Sequence, residues 1–332
     1  MIVNILMSLV AVVVLGSVAY TAGSVPGLQV VFGIWIPYAA AAVFLLGFIW
    51  RIFKWAKSPV PFRIPTTCGQ QKSLPWIKHN SIDNPTTTKG VILRMFFEIV
   101  TFRSLFRNTK SRIVGDRISY EWEIWLWIAA LAFHYSFLAV VVRHMRLFLE
   151  PVPAVIGIVE TLDSFFQIGL PVVFASGVVL FVAVLYLFAR RVFIPQVKYI
   201  SMIADYFPLF LILGIAGTGL YMRYFLRVDI HAIKQLTMGL VTFSATIPAN
   251  VSPMLYVHLF LVSALLIYFP FSKLMHMGGV FLSPTRNLAN NSRIKRHINP
   301  WNPDLEFVTY EKYENEFREK MIEAGLPVEK ES

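Results

Sequence analysis

Cysteine is almost absent from the chain. Cys68 is the single cysteine in 332 residues, which excludes a disulfide framework, a CxxCH haem-attachment motif and an iron–sulfur cluster ligated by this chain alone. Acidic residues are also scarce, 19 Asp and Glu against 30 Lys and Arg, for a formal charge of +11. Their placement says more than their number. The middle of each apolar run between residues 121 and 279 holds no charged residue apart from histidine. A transporter or proton pump places carboxylates or broken helices at mid-membrane, so that class is disfavoured. The apolar N-terminus lacks a basic lead-in and a small-residue cleavage site, and is expected to be a retained helix.

Apolar surface is what the chain has in abundance. It is 56% hydrophobic and 15% aromatic, a composition that water does not tolerate and a bilayer requires. Six spans can be drawn, roughly Ile2–Ala22, Val30–Trp50, Trp122–Phe148, Phe166–Leu187, Tyr206–Phe225 and Pro253–Gly279. The expected fold is all-α, a polytopic membrane protein with six transmembrane helices. Residues 1–28 form an additional N-terminal helix, 29–50 the second helix, 51–120 a cytoplasmic loop, 121–279 a four-helix core and 280–332 a cytoplasmic tail.

The positive charge sets an orientation. The 51–120 loop holds 13 of the Lys and Arg, the turn after the fourth span 3, and Lys273 with the tail 9, so that 25 of 30 lie on one side. Positive residues stay inside, which puts both termini in the cytoplasm. Nucleic acid is not needed to explain the charge. Within the loop, Pro59–Pro85 is expected to be irregular. Lys89–Arg107 interleaves Ile92, Leu93, Phe96, Phe97, Val100 and Phe102 with basic residues. Such a helix either lies along the inner membrane surface or packs on a partner subunit.

Four of the seven histidines form a set. His134 and His144 sit ten apart in the third span, His258 and His276 eighteen apart in the sixth. Eighteen residues make five whole turns, placing both imidazoles on one face roughly 27 Å apart. Antiparallel packing then level-matches His144 with His258 near the outer surface, and His134 with His276 towards the inner one. Two imidazoles at each of two levels can clamp two haems stacked across the bilayer. The ten-residue spacing turns its two ligands about 80° apart, which demands tilt or rotated haem planes. A lone histidine in a span is more often structural; the pairing is what raises these four. His79, His231 and His297 lie outside the spans and carry no assigned chemistry.

Ser272, four residues before His276, is a candidate second-shell acceptor, or bonds its own backbone. Gly169, Gly177, Gly214, Gly217 and Gly219 make room for a macrocycle or for close helix packing. Pro270 is expected to kink the sixth helix. Arg143, Arg146 and Lys273 are candidates for contacts to haem propionates or quinone, or are snorkelling residues. Cys68 could meet the redox centre of a partner, or serve as a structural loop residue.

Two histidines ten apart on one helix and two eighteen apart on a later one resemble the gamma, or cytochrome b, subunits of respiratory nitrate reductases. The resemblance covers roughly Val30–Gly279 and implies that the last five helices form a diheme bundle. The loop Thr66-Thr67-Cys68-Gly69-Gln70-Gln71-Lys72-Ser73-Leu74-Pro75-Trp76-Ile77 resembles the DsrM (HmeC) family, the cytochrome b membrane subunits of Dsr sulfur-metabolism complexes. That resemblance implies two haem b groups, His144/His258 at the outer and His134/His276 at the inner. It implies menaquinone as substrate at the outer haem, a cytoplasmic iron–sulfur DsrK-like partner related to heterodisulfide reductase, and further membrane and extracytoplasmic subunits. The lysine of the nitrate reductase quinol site has no obvious counterpart; Arg143, Arg146, Glu160 and Asp163 are candidates by location. The rivals are the quinone-linked subunit of a nitrate reductase-like or other heterodisulfide reductase-like complex, a transporter, and a passive anchor without haem.

Overall fold

Long charge-poor runs of Ala, Leu, Val and Phe have one stable solution in a bilayer, because only a helix satisfies every backbone group within its own segment. A computed structural model of the chain describes residues 2–60, 69–165, 171–249, 251–294 and 306–329, which leaves Cys68, Gly169 and His297 outside the described residues. Among the described residues six helices are long and apolar enough to cross a membrane. Helix α1 (Ile2–Ser24) turns at Gly27, whose φ of 89° is left-handed, into α2 (Leu28–Ala56). Helix α3 (Thr88–Val100) is capped by Thr87, which accepts from the Gly90 amide. It exposes Ile92, Leu93 and Phe96 while burying Val91 and Arg94, the reverse of a soluble amphipathic helix. The remaining spans are α4 (Ile124–Leu147), α6 (Ala175–Phe193), α7 (Ile203–Leu226) and α9 (Pro253–Phe271). Shorter helices α5 (Ala154–Asp163) and α8 (Ile230–Val241) lie at the connections, and α10 (Tyr310–Glu323) in the tail.

Three local features correct the expected outline. Residues 109–122 form an antiparallel hairpin, β1 (Thr109–Val114) with β2 (Arg117–Trp122), turning at Gly115 with φ 60°. The fold is all-α apart from this hairpin, and the third span begins at Ile124 instead of Trp122. Among the described residues the fourth span begins at Ala175, and Phe166, the expected start, lies outside them. Pro171 lacks an amide hydrogen, and Phe174 is extended ahead of the first turn. The sixth span does not merely kink. Helix α9 is regular to Tyr268, tightens over Phe269–Phe271, and passes through extended Ser272 before the short turns Lys273–Met275 and His276–Gly279. Pro270 sits inside this break, seated where Gly47 of α2 leaves room: a Cβ there would lie 2.8 Å from the proline ring.

The bundle is an arc. Helix α4 packs on α6, α6 on α7, α7 on α9 and α9 on α2, while α1 packs against both α7 and α9. One core joins Val12 and Ala19 of α1 to Leu211, Val257 and Leu261; another joins Leu180, Val184 and Ile212, with Phe133, Phe137 and Val140 of α4 against it. The two histidine-bearing helices α4 and α9 thus occupy opposite ends of α4–α6–α7–α9 and share no substantial helix–helix interface. Beyond one end of the bundle, Asn290 donates to Asn84 and to the Pro85 carbonyl, and Gln71 donates to Ser292, tying the long loop to the chain beyond α9.

Candidate functional site

Across the gap between α4 and α9 the four span histidines meet in two pairs. The rings of His144 and His258 lie 6.5 Å apart between centroids and 16° from parallel. Those of His134 and His276 lie 5.9 Å apart and nearly perpendicular, at 88°. The 80° phase difficulty is met by the break in α9: His276 sits on a separate turn, so its direction is not tied to that of His258 by helix phase.

Each imidazole is held by its Nδ1. His134 donates to the Ala130 carbonyl at 2.7 Å and His144 to the Val140 carbonyl at 2.7 Å, each one turn back on α4. His276 donates to the Lys273 carbonyl at 3.0 Å. His258 reaches Thr218 Oγ1 on α7 at 2.9 Å; that hydroxyl has the Gly214 carbonyl at 2.7 Å to receive its own proton, so it accepts from the ring. A carbonyl only accepts, so Nδ1 carries the hydrogen and Nε2 keeps its lone pair for a metal. Ser272 is not the acceptor for His276. The extended backbone at Ser272 breaks the helix face on which the two would align, and its hydroxyl caps the Leu274 amide and donates to Phe269.

The pairs fit a bis-imidazole iron. A nitrogen–metal bond of about 2 Å on each side, plus about 1.1 Å from nitrogen to ring centre, separates ring centres by about 6 Å. Among the described residues no three His, Cys, Asp or Glu side chains converge on one point. A metal between two imidazoles could take its remaining ligands from a macrocycle. The surroundings suit that: Phe102 and Phe133 set their edges against His134, each 4.9 Å between centroids. Gly219 approaches His258 so closely that a Cβ would lie 3.3 Å from its ring. The other glycines serve helix packing, Gly214 against Leu261, Gly177 against Leu220 and Gly217 against Phe181.

Charged residues gather at the two levels. At the His144 end, Arg143 Nε lies 2.7 Å from Asp163, which also accepts from the amide and hydroxyl of Ser176 at 2.6 Å. Arg146 pairs with Glu160 at 2.8 Å. Phe174 is sandwiched between the guanidiniums of Arg143 and Arg223, at 3.7 and 4.3 Å. Arg223 donates to the Val172 carbonyl, and its buried Nε has no hydrogen-bond partner among the described residues. At the His276 end Lys273 pairs with Asp205 at 2.8 Å, and Arg190 with Glu123 at 2.6 Å. Sequence reasoning found Arg143, Arg146, Glu160, Asp163 and Lys273, and the fold brings the first four together in two ion pairs. It missed Thr218, Phe174, Ser176 and Arg223. Thr218 carried a signal, as a lone hydroxyl among the glycines of an apolar span.

Comparison with known proteins agrees with this architecture. The model of the family described as nitrate reductase gamma subunit matches residues 120–297, which include all four histidines. A protein of Archaeoglobus fulgidus named Hdr-like menaquinol oxidoreductase cytochrome b-like subunit is 45% identical over 281 residues, covering 82% of this chain and 84% of its own length. A protein of the same name from Archaeoglobus profundus is 38% identical over 280 residues, covering 82% of each. With six membrane-length helices and these matches, the chain is a multi-pass membrane protein that belongs to the nitrate reductase gamma subunit family.

Proposed function

We propose that this chain is the diheme cytochrome b of a menaquinol-linked oxidoreductase complex. It passes electrons between menaquinol, met at the outer side, and a cytoplasmic iron–sulfur subunit resembling heterodisulfide reductase. The observation that carries the proposal is the two facing imidazole pairs, each ring held through Nδ1 with Nε2 left to bind iron. His144 and His258 are assigned to the outer site, His134 and His276 to the inner. When bound, haem b supplies a one-electron couple at each level.

The chain's own residues do the rest. The acceptors on Nδ1 set the tautomer and aim of each ring, and raise its basicity as a ligand. Aromatic edges and apolar helix faces exclude water and lower the local dielectric. Arg143, Arg146 and Arg223 supply positive charge for propionates at the outer level and Lys273 at the inner. Menaquinol releases two electrons and two protons on oxidation, and Glu160 and Asp163 are the carboxylates at the end where protons emerge. The excess of Lys and Arg on the loop and tail supports cytoplasmic termini. The names of the two relatives support menaquinol as the donor and an Hdr-like partner. The resemblance of the Thr66–Ile77 loop to the DsrM family supports a place in dissimilatory sulfur metabolism, with a DsrK-like subunit and further membrane and extracytoplasmic subunits. A chain without cluster-forming cysteines hands its electrons to a partner that has them.

A pyridine haemochrome assay with optical redox titration tests this on the purified complex. Wild type is expected to hold two b haems per chain, with His144→Ala and His276→Ala each losing a different one. Loss of the same haem in both variants refutes the pairing, and absence of haem from wild type refutes the cytochrome.

A further inference from the structure

We infer that a cavity between α1, α7 and α9 binds the head group of an isoprenoid naphthoquinol, with Thr218 Oγ1 accepting a hydrogen bond from a quinol hydroxyl. This rests on the quinone-linked reading above and assigns the site it requires. The cavity is a shallow groove, widely open at the surface, with about 380 Å³ of space lined by Gly16, Ser17 and Thr21 of α1, Thr218 of α7, and Met254 and Val257 of α9. That volume falls in the usual range for small-molecule sites, about 300–1,000 Å³.

Three observations select the occupant. The lining carries hydroxyls and apolar groups but no charge, which suits a neutral hydroquinone and gives an anion nothing to pair with. The mouth lies beside Val13 and Tyr20, both exposed on the apolar surface of α1, so a ligand with a long hydrocarbon tail enters from lipid and leaves its tail there. At the wall, Thr218 has one hydrogen and two lone pairs. The hydrogen goes to the Gly214 carbonyl and one lone pair takes the His258 Nδ1–H. The second lone pair has no donor among the described residues, and Thr218 lines the groove. A hydroxyl bound there is one side chain away from a proposed axial ligand.

The space is also unfilled from the α1 side, where a Cβ added at Gly16 would meet only Val257, at 3.7 Å. By contrast, the charged candidates at the same level are committed to one another, Arg143 to Asp163 and Arg146 to Glu160. Helix α1 lies outside the residues matched by the family model, so this site uses an element that match does not include.

The test is made on the intact complex in lipid nanodiscs. A photoreactive azido-menaquinone is cross-linked and mapped by mass spectrometry, and haem reduction by menadiol is followed in wild type, Gly16→Phe and Ser17→Leu. The expected result is label within residues 13–21 or 254–257, and at least a tenfold rise in half-saturating menadiol in both variants at unchanged haem content. Label confined to other segments, the Arg143–Asp163 cluster included, overturns the site, as does wild-type half-saturation in variants that keep their haem. If a variant loses haem, the labelling of wild type decides. Haem reduction with label elsewhere defeats this site alone. Label in the cavity without haem reduction keeps the site and defeats the quinol-linked function, and absence of both defeats both.

Discussion

Thr218 and Ser272 are both hydroxyls near a proposed iron ligand, and they do different work. Thr218 accepts from the ring of His258 across a helix–helix contact; Ser272 caps the turn that leads to His276. Thr218→Val keeps the shape and removes the acceptor, making His258 a less basic ligand that stabilises the ferric state less. The midpoint potential of one haem is expected to rise while the other stays, in an optical titration with both haems present. Ser272→Ala is expected to leave both potentials in place and to lower stability by about 1 kcal/mol, the usual worth of a cap, read as thermal loss of the haem absorbance. The four histidines were legible because their spacing and the antiparallel run of two spans are properties of the sequence. Thr218 was not legible as a partner of His258, since forty positions separate them and only the packing of α7 on α9 joins them. Of the two readings of Ser272, the bond to its own backbone is the one found, because helix phase does not run through a segment that is not a continuous helix.

The break in α9 is the element that reconciles the two pairs. In a continuous helix His258 and His276 share a face, whereas His134 and His144 on α4 diverge by about 80°. Interrupting α9 at Pro270 and Ser272 lets the last turn re-aim His276. Pro270→Ala restores an amide hydrogen and removes the ring that blocks regular helix. The variant is expected to retain the His144/His258 haem and to lose or weaken the other, giving a haemochrome content between one and two per chain; two haems with wild-type potentials contradict the role given to the break. Span existence was plain from apolar length, because the bilayer sets it. Span ends were misplaced where local chemistry overrides hydropathy: Pro171 delays α6, and the Arg117–Trp122 strand takes the residues ahead of α4. The hairpin escaped notice although Ile118, Tyr120 and Trp122 alternate with Arg117, Ser119 and Glu121, because only one of its two short strands carries that alternation and the residues of both are almost all exposed.

Taken together, the bundle keeps charge at its two ends and histidine between them. Impermeant maleimide labelling checks which end faces the cytoplasm, in a Cys68→Ser background with one cysteine introduced at exposed Ser111 or exposed Thr161. Ser111→Cys is expected to react only in inverted vesicles and Thr161→Cys only in right-side-out ones; the opposite result inverts the electron path. The arc of helices also dictates an order of events during synthesis. His134 and His144 enter the membrane early, and neither has a partner until α9 has been made, last among the spans. Helices α6 and α7 are in place by then, holding the slot to its width. On the proposed diheme reading, haem insertion would be the closing step of biogenesis, since a nascent chain that stalls before residue 253 has five spans and only one imidazole of each pair.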